Sequence, residues 1–171
     1  LPLQYDDFVL PNPEPETLTV EYVYRNWLFH GPLFQGISSI DKIGTEGICG
    51  VINAISIDEC LKDAGKERWL IDPIMLDSAM QFAGIWARHY MDITVLPVGF
   101  GKLSLFAAPN SNNFHVIVSV PNENKNGELL CDMAIYNEDG RIVALMEKLG
   151  GAGSKSLNRL GSQPKALRGA K

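Results

Sequence analysis

The chain has 171 residues, 46% of them apolar, and a mean hydropathy of −0.01, which suits one globular unit and is tight for two. Its net charge is −5, yet Lys155, Arg159, Lys165, Arg168 and Lys171 stand in a closing stretch without acids, so the body is about twice as acidic and argues against nucleic acid as a partner. No apolar run is long enough to cross a membrane, and the opening Leu1-Pro2-Leu3-Gln4-Tyr5-Asp6-Asp7 lacks the basic start and apolar middle of a signal peptide.

Taken in order, residues 1–16 carry Pro2, Pro11, Pro13 and Pro15 among acids and predict an extended interdomain linker. The missing initiator Met fits a piece of a longer protein. Residues 17–29, with Val20, Tyr22, Tyr24 and Trp27, suit a strand or a short helix, and periodicity does not choose between them. Gly31-Pro32 ends that element. Residues 33–43 and 47–57 then predict a hairpin turning at Gly44-Thr45-Glu46-Gly47, and a polar stretch follows over 58–68.

A helix is predicted from Asp72 to Tyr90, because an Asp side chain can accept the free N–H groups of the first turn and the following Pro73 has none to lose. Strands are predicted over 96–106, 114–121, 128–136 and 141–149. The connectors 122–127 and 137–140 are rich in Asn and Gly, so the last strands predict an antiparallel meander. From 153 onward the sequence reads as a basic flexible tail, which leaves 17–152 as the folded unit.

One long helix between a strand pair and a meander predicts an α+β hot-dog fold, an antiparallel sheet wrapped around a single helix. On the helix, Asp77, Gln81, Gly84 and Arg88 share a stripe beside an apolar one of Leu76, Met80, Ala83, Ala87 and Tyr90. Burial of Asp77 beside Leu76, Met80 and Phe82 would raise its pKa and keep it protonated, able to donate. Gln81, one turn on, can bond the carboxyl group or a departing water. An exposed helix acid and a packed or solvated amide are the plainer readings of the two.

The three histidines and three cysteines show no metal spacing, and Cys49, Cys60 and Cys131 read as reduced core thiols of a cytoplasmic protein. His30 sits at a turn and titrates near working pH. His89 suits the helix C-terminus, and His115 the solvent face of a strand.

Two segments, Leu28-Phe29-His30-Gly31-Pro32-Leu33-Phe34-Gln35 and Leu76-Asp77-Ser78-Ala79-Met80-Gln81, resemble in order and spacing the C-terminal half of dehydratase domains from polyketide synthases and polyunsaturated-fatty-acid synthases. In that family a (Tyr/His)-Gly-Pro-x-Phe segment precedes a Leu-Asp-x-x-x-(Gln/His) helix. The likeness spans roughly 18–149 and implies one hot-dog of the family's usual two. It implies that Asp77 and Gln81 are catalytic and that His30, Gly31, Pro32 and Pro97 belong to the substrate site, Gly31 and Pro32 by setting the backbone more than by touching substrate; Phe34 reads as core. It further implies loss of water from a β-hydroxyacyl thioester to give an α,β-enoyl thioester. The substrate would arrive on the phosphopantetheine of an acyl carrier protein; Arg88 is either a partner for that arm's phosphate or a solvated side chain. No metal or other cofactor of the chain's own is implied.

The family's catalytic His-x-x-x-Gly-x-x-x-x-Pro motif is absent, so the base would come from an N-terminal half supplied elsewhere. A non-catalytic acyl-binding or structural hot-dog, and an independent homodimeric hot-dog thioesterase or hydratase, remain as alternatives. A lone hot-dog also has a sheet edge that invites pairing.

Overall fold

The computed structural model describes residues 1–2, 4–15, 18–53, 70–106, 112–121 and 127–161. The polar stretch 58–68, Cys60, most of the connector 122–127 and residues 162–171 lie outside the described residues.

The undecided segment is a helix, α1, Val20–Asn26. Thr19 settles it by accepting the Tyr22 N–H at 3.2 Å, with Glu21 in the first turn, Arg25 in the last, and Val23 and Tyr24 on the buried face. Pro32 then opens a 3-10 turn, Pro32–Phe34, instead of a strand. Its fixed φ and missing N–H suit a first helical position, so β1 starts later than predicted, at Ile37–Gly44. The hairpin to β2, Gly47–Asn53, forms as the turn chemistry predicts.

The long helix α2, Pro73–Tyr90, also starts where predicted, with the Asp72 carboxylate accepting from the Ile74 and Met75 N–H groups at 2.7 and 3.1 Å. The strand expected over 96–106 is two, β3, Thr94–Gly99, and β4, Lys102–Leu105. The strand is interrupted at Phe100 and Gly101, opposite a β-bulge of β7 where Lys148 adopts φ 56°. The meander of β5, Asn113–Ser119, β6, Glu128–Tyr136, and β7, Ile142–Ser154, is antiparallel throughout. Strand order is β1-β2-β5-β6-β7-β3, with β4 also paired to β7, and the sheet does not close into a barrel. This is the predicted hot-dog arrangement. No helix among the described residues is long and apolar enough to cross a membrane.

Helix α2 lies against one face of the sheet through Ala79, Phe82, Ala83 and Ile85, all buried. The approach is close: a Cβ on Gly50 of β2 would stand 2.2 Å from the Ser39 carbonyl oxygen and 2.8 Å from the Phe82 ring. Trp86 fills the space further along and donates its indole N–H to the Gly44 carbonyl at 2.9 Å.

The opposite face corrects the expectation for residues 1–16. Cys49, Ile117, Ala134 and Tyr136 make a second apolar cluster there, covered by Tyr5 and Phe8 of the N-terminal segment. The segment is held along its length. Tyr5 N–H donates to Gly140 O at 2.9 Å, Tyr136 Oη to Pro2 O at 2.9 Å, and Glu14 N–H to Ile43 O at 2.8 Å. Tyr5–Asp7 form a 3-10 turn within it, and its apolar side chains dock it on the sheet.

His115 is accordingly not on a solvent face; its ring stacks on Tyr5 with centroids 4.3 Å apart. His89 pairs through Nε2 with Glu14 at 2.9 Å in place of the last helix carbonyls. The start of the basic tail is folded as well. Strand β7 runs to Ser154, and a 3-10 turn, Lys155–Leu160, brings Asn158 Oδ1 to the Thr94 hydroxyl at 3.1 Å. Cys49 and Cys131 are buried free thiols, and burial pushes Cys131 up to about 12.

Candidate active site

The predicted stripe on α2 faces a cavity of about 170 Å³, and Asp77, Gln81, Gly84 and Arg88 all line it. Opposite them stand Trp27, Leu28, Phe29 and His30 from the segment after α1, and Val95 and Pro97 from β3. Most of the remaining wall is apolar.

Gln81 is the fixed point of the polar end. Its Nε2 donates to Asp77 Oδ2 at 2.8 Å and to the Phe34 carbonyl at 2.7 Å, and its Oε1 accepts from Tyr24 Oη at 2.8 Å. Both amide hydrogens are thereby used, so Gln81 holds the carboxyl group and has no N–H left for a departing water. Tyr24 Oη in turn accepts the buried Ile37 N–H at 3.0 Å, which ties the network to β1.

Asp77 is less buried than the sequence reading assumed. About a third of its side chain, 32%, is accessible, and its carboxyl group faces Gln81 and His30 instead of Leu76 and Phe82. His30 Nε2 lies 3.5 Å from Asp77 Oδ2, with 17% of the His30 side chain accessible. Burial pushes the His30 pKa below its ordinary value of 6.5, against the opposing pull of the Asp77 charge. The imidazole is therefore neutral near pH 7. Its ring stacks on Phe29 with centroids 4.6 Å apart, and Gln35 Nε2 donates to its carbonyl at 2.8 Å.

Pro97 lines the cavity with His30, but Gly31 and Pro32 do not; both are exposed, and a Cβ on Gly31 would meet nothing within 4 Å. They shape the turn that delivers the His30 side chain and the Phe34 carbonyl. Phe34 itself is 39% exposed and not core. Tyr24 escaped the sequence reading, where it was one aromatic among several. The available signal was its place beside Val23, since a buried tyrosine hydroxyl needs a partner.

Two expected results follow from this geometry. Tyr24→Phe removes the acceptor for the buried Ile37 N–H and costs about 1–3 kcal/mol, read as a lower denaturant midpoint with unchanged slope. For His30 the folded-state pKa lies below the unfolded one, so the unfolded chain binds the proton more readily. The stability this gives is present above about pH 6.5 and is lost progressively as pH falls from there through the folded value. Melting temperatures between neutral and mildly acid pH should fall less steeply in His30→Asn than in the parent. Parallel curves would contradict the assignment.

A family profile described as the polyketide synthase dehydratase N-terminal domain matches residues 9–152. The chain belongs to the polyketide synthase dehydratase family. Its fold is similar to the dehydratase domain of RzxB from Pseudomonas fluorescens, with TM-score 0.67 and 18% identity over 88% of this chain and 54% of that one. It is also similar to the dehydratase domain of the CurK module of curacin polyketide synthase, with TM-score 0.62 and 23% identity over 80% of this chain and 47% of that one. Two further structures are CurK dehydratases described as inactive mutants, one with a histidine changed to phenylalanine and one with an aspartate changed to asparagine. At these identities the likeness establishes the fold. The chain spans about half the length of these solved chains. No curated protein sequence matches it.

Proposed function

We propose that this chain, although the profile it matches is described as the N-terminal domain, is the acid-bearing, C-terminal half of a synthase dehydratase that eliminates water from a β-hydroxyacyl group carried on acyl carrier protein in the cytoplasm, because it carries the Leu-Asp-x-x-x-Gln helix and lacks the His-x-x-x-Gly-x-x-x-x-Pro motif. Residues 17–152 form the hot-dog, 1–16 the interdomain connector laid across it, and the segment from 153 the start of the next connection. The observation that carries this reading is the Asp77–Gln81–Tyr24 network at the polar end of a mostly apolar cavity. That CurK dehydratases lacking one histidine or one aspartate are described as inactive supports a His/Asp chemistry for the family site.

In the reaction a base takes the proton from Cα, the released electron pair forms the Cα=Cβ bond, and the Cβ–O bond breaks. Asp77 gives its proton to the leaving oxygen, which departs as water. With Oδ2 accepting from Gln81, the other oxygen is the one that carries the proton toward the substrate. Gln81 is a positioning residue, and Pro97 and His30 border the acyl group. The base histidine belongs to the partner half, because none of the three histidines here lies in the family's Gly and Pro spacing. The cofactor requirement is met by phosphopantetheine on the carrier protein.

A second reading has an observation of its own. His30 is neutral and 3.5 Å from Asp77, so one chain holds both a candidate base and a candidate acid, as an independent homodimeric hydratase or thioesterase would need. The first reading is tested by titrating the labelled chain with a β-hydroxyacyl pantetheine thioester and following side-chain amide resonances by NMR. A selective shift of the Gln81 NH₂ signals is expected. Unmoved signals at saturating thioester would contradict it.

A further inference from the structure

Gly84 is the one member of the Asp77 stripe without a side chain, and it stands inside α2, where glycine is the most costly residue after proline. Its backbone is helical, so no left-handed φ calls for glycine there. Nor does packing call for it: a Cβ built on Gly84 would meet no atom within 4 Å among the described residues, whereas one on Gly50 would collide with Ser39 and Phe82. The two glycines of β7 that line the same cavity differ as well. A Cβ on Gly150 would touch Val98 at 3.5 Å, and one on Gly151 would touch Val95 and Leu129 at 3.4 and 3.5 Å. Gly84 is half-buried and lines the cavity, so the open space in front of it belongs to the cavity.

Resting on the dehydratase reading, we propose that Gly84 is a specificity-determining residue whose missing side chain leaves room for the acyl tail of a long β-hydroxyacyl thioester. Gly84 follows Asp77 by seven residues, two turns and about 10 Å along the helix. An extended chain covers about 3.5 Å for every three bonds, so a tail of about a dozen carbons reaches Gly84 from a β-hydroxyl held at Asp77, and one of eight carbons stops short. Methylenes suit this part of the cavity. Met80, one turn before Gly84, and Ala83, Val95, Leu129 and Leu149 are apolar, and the Arg88 guanidinium is already paired with Asp92. The amides of a pantetheine arm would lose water there without gaining a partner.

Stability and binding should respond with opposite sign. Gly84→Ala raises the melting temperature by about 2–4 °C, because alanine is the better helix former and its methyl group meets no neighbour. The same methyl group weakens binding of a fourteen-carbon β-hydroxyacyl pantetheine thioester about fourfold, the worth of one excluded methylene, and Gly84→Leu weakens it more than about tenfold. The eight-carbon thioester binds the parent and both variants alike. Calorimetric titration of the three chains gives the affinities, and melting curves confirm that each is folded. An undiminished affinity of Gly84→Leu for the long thioester, or a loss shared equally by the short one, overturns the assignment. So does a loss in Gly84→Leu that vanishes when a simple alkanethiol replaces pantetheine on both acyl chains, which would put the arm over Gly84 instead of the tail. In each of these cases a thioester-induced shift at Gln81 keeps the dehydratase reading standing. Binding of neither thioester to the parent would overturn both.

Discussion

On the proposed dehydratase reading, replacing Asp77 with Asn is expected to lower the rate of water elimination by a factor of about 10²–10⁴ once both halves are present, with no matching loss of stability. Asn keeps the volume of Asp, and its side-chain oxygen can still accept the Gln81 N–H, which Tyr24 and the Phe34 carbonyl hold in place. What it cannot do is yield a proton to the leaving hydroxyl. Single-turnover rates on a carrier-bound β-hydroxyacyl group separate this chemical step from binding, and a melting curve of the same sample controls for folding. A rate within a few-fold of the parent's would remove Asp77 from the chemistry.

Phe82→Ala produces the largest loss of stability, about 3–5 kcal/mol against the 5–15 kcal/mol typical of a whole domain. The ring is fully buried and packs beside Gly50 of β2, whose lack of a Cβ permits the contact. The sheet cannot follow a shortened side chain inward, because β2 is paired on both sides, to β1 and β5. A cavity therefore remains, and the melting temperature falls by roughly 10 °C for a chain of this size. Phe100, 54% exposed beyond the end of β3, is the control: Phe100→Ala should stay within about 0.5 kcal/mol. Equal losses at the two positions would contradict the packing described.

Helix α2 and the stripe it turns to the cavity were readable because local rules decide them. Asp72-Pro73 fixes the start, and the helical period alone places Asp77, Gln81 and Arg88 on one wall. The meander was readable from its Asn- and Gly-rich turns. Contacts that depend on partners distant in sequence were not. Residues 1–16 look like a linker because their prolines dictate an extended backbone, and nothing local reveals that Tyr5 and Phe8 will find Ile117 and Tyr136. The wetter setting of Asp77 has the same origin, since its exposure depends on where the turn at Gly31-Pro32 brings His30. The split of β3 from β4 depends partly on a bulge at Lys148 in β7, far along the chain.

The central claim is a site divided between two halves, with the acid on this chain. Its most direct test is to follow water loss from a carrier-bound β-hydroxyacyl group by mass spectrometry. The chain is assayed alone and then mixed with a separately prepared histidine-bearing dehydratase half shown to associate with it. The account predicts product only in the mixture, and none when the chain carries Asp77→Asn. Product from the chain alone would contradict the divided site and make His30 the base of a self-sufficient enzyme.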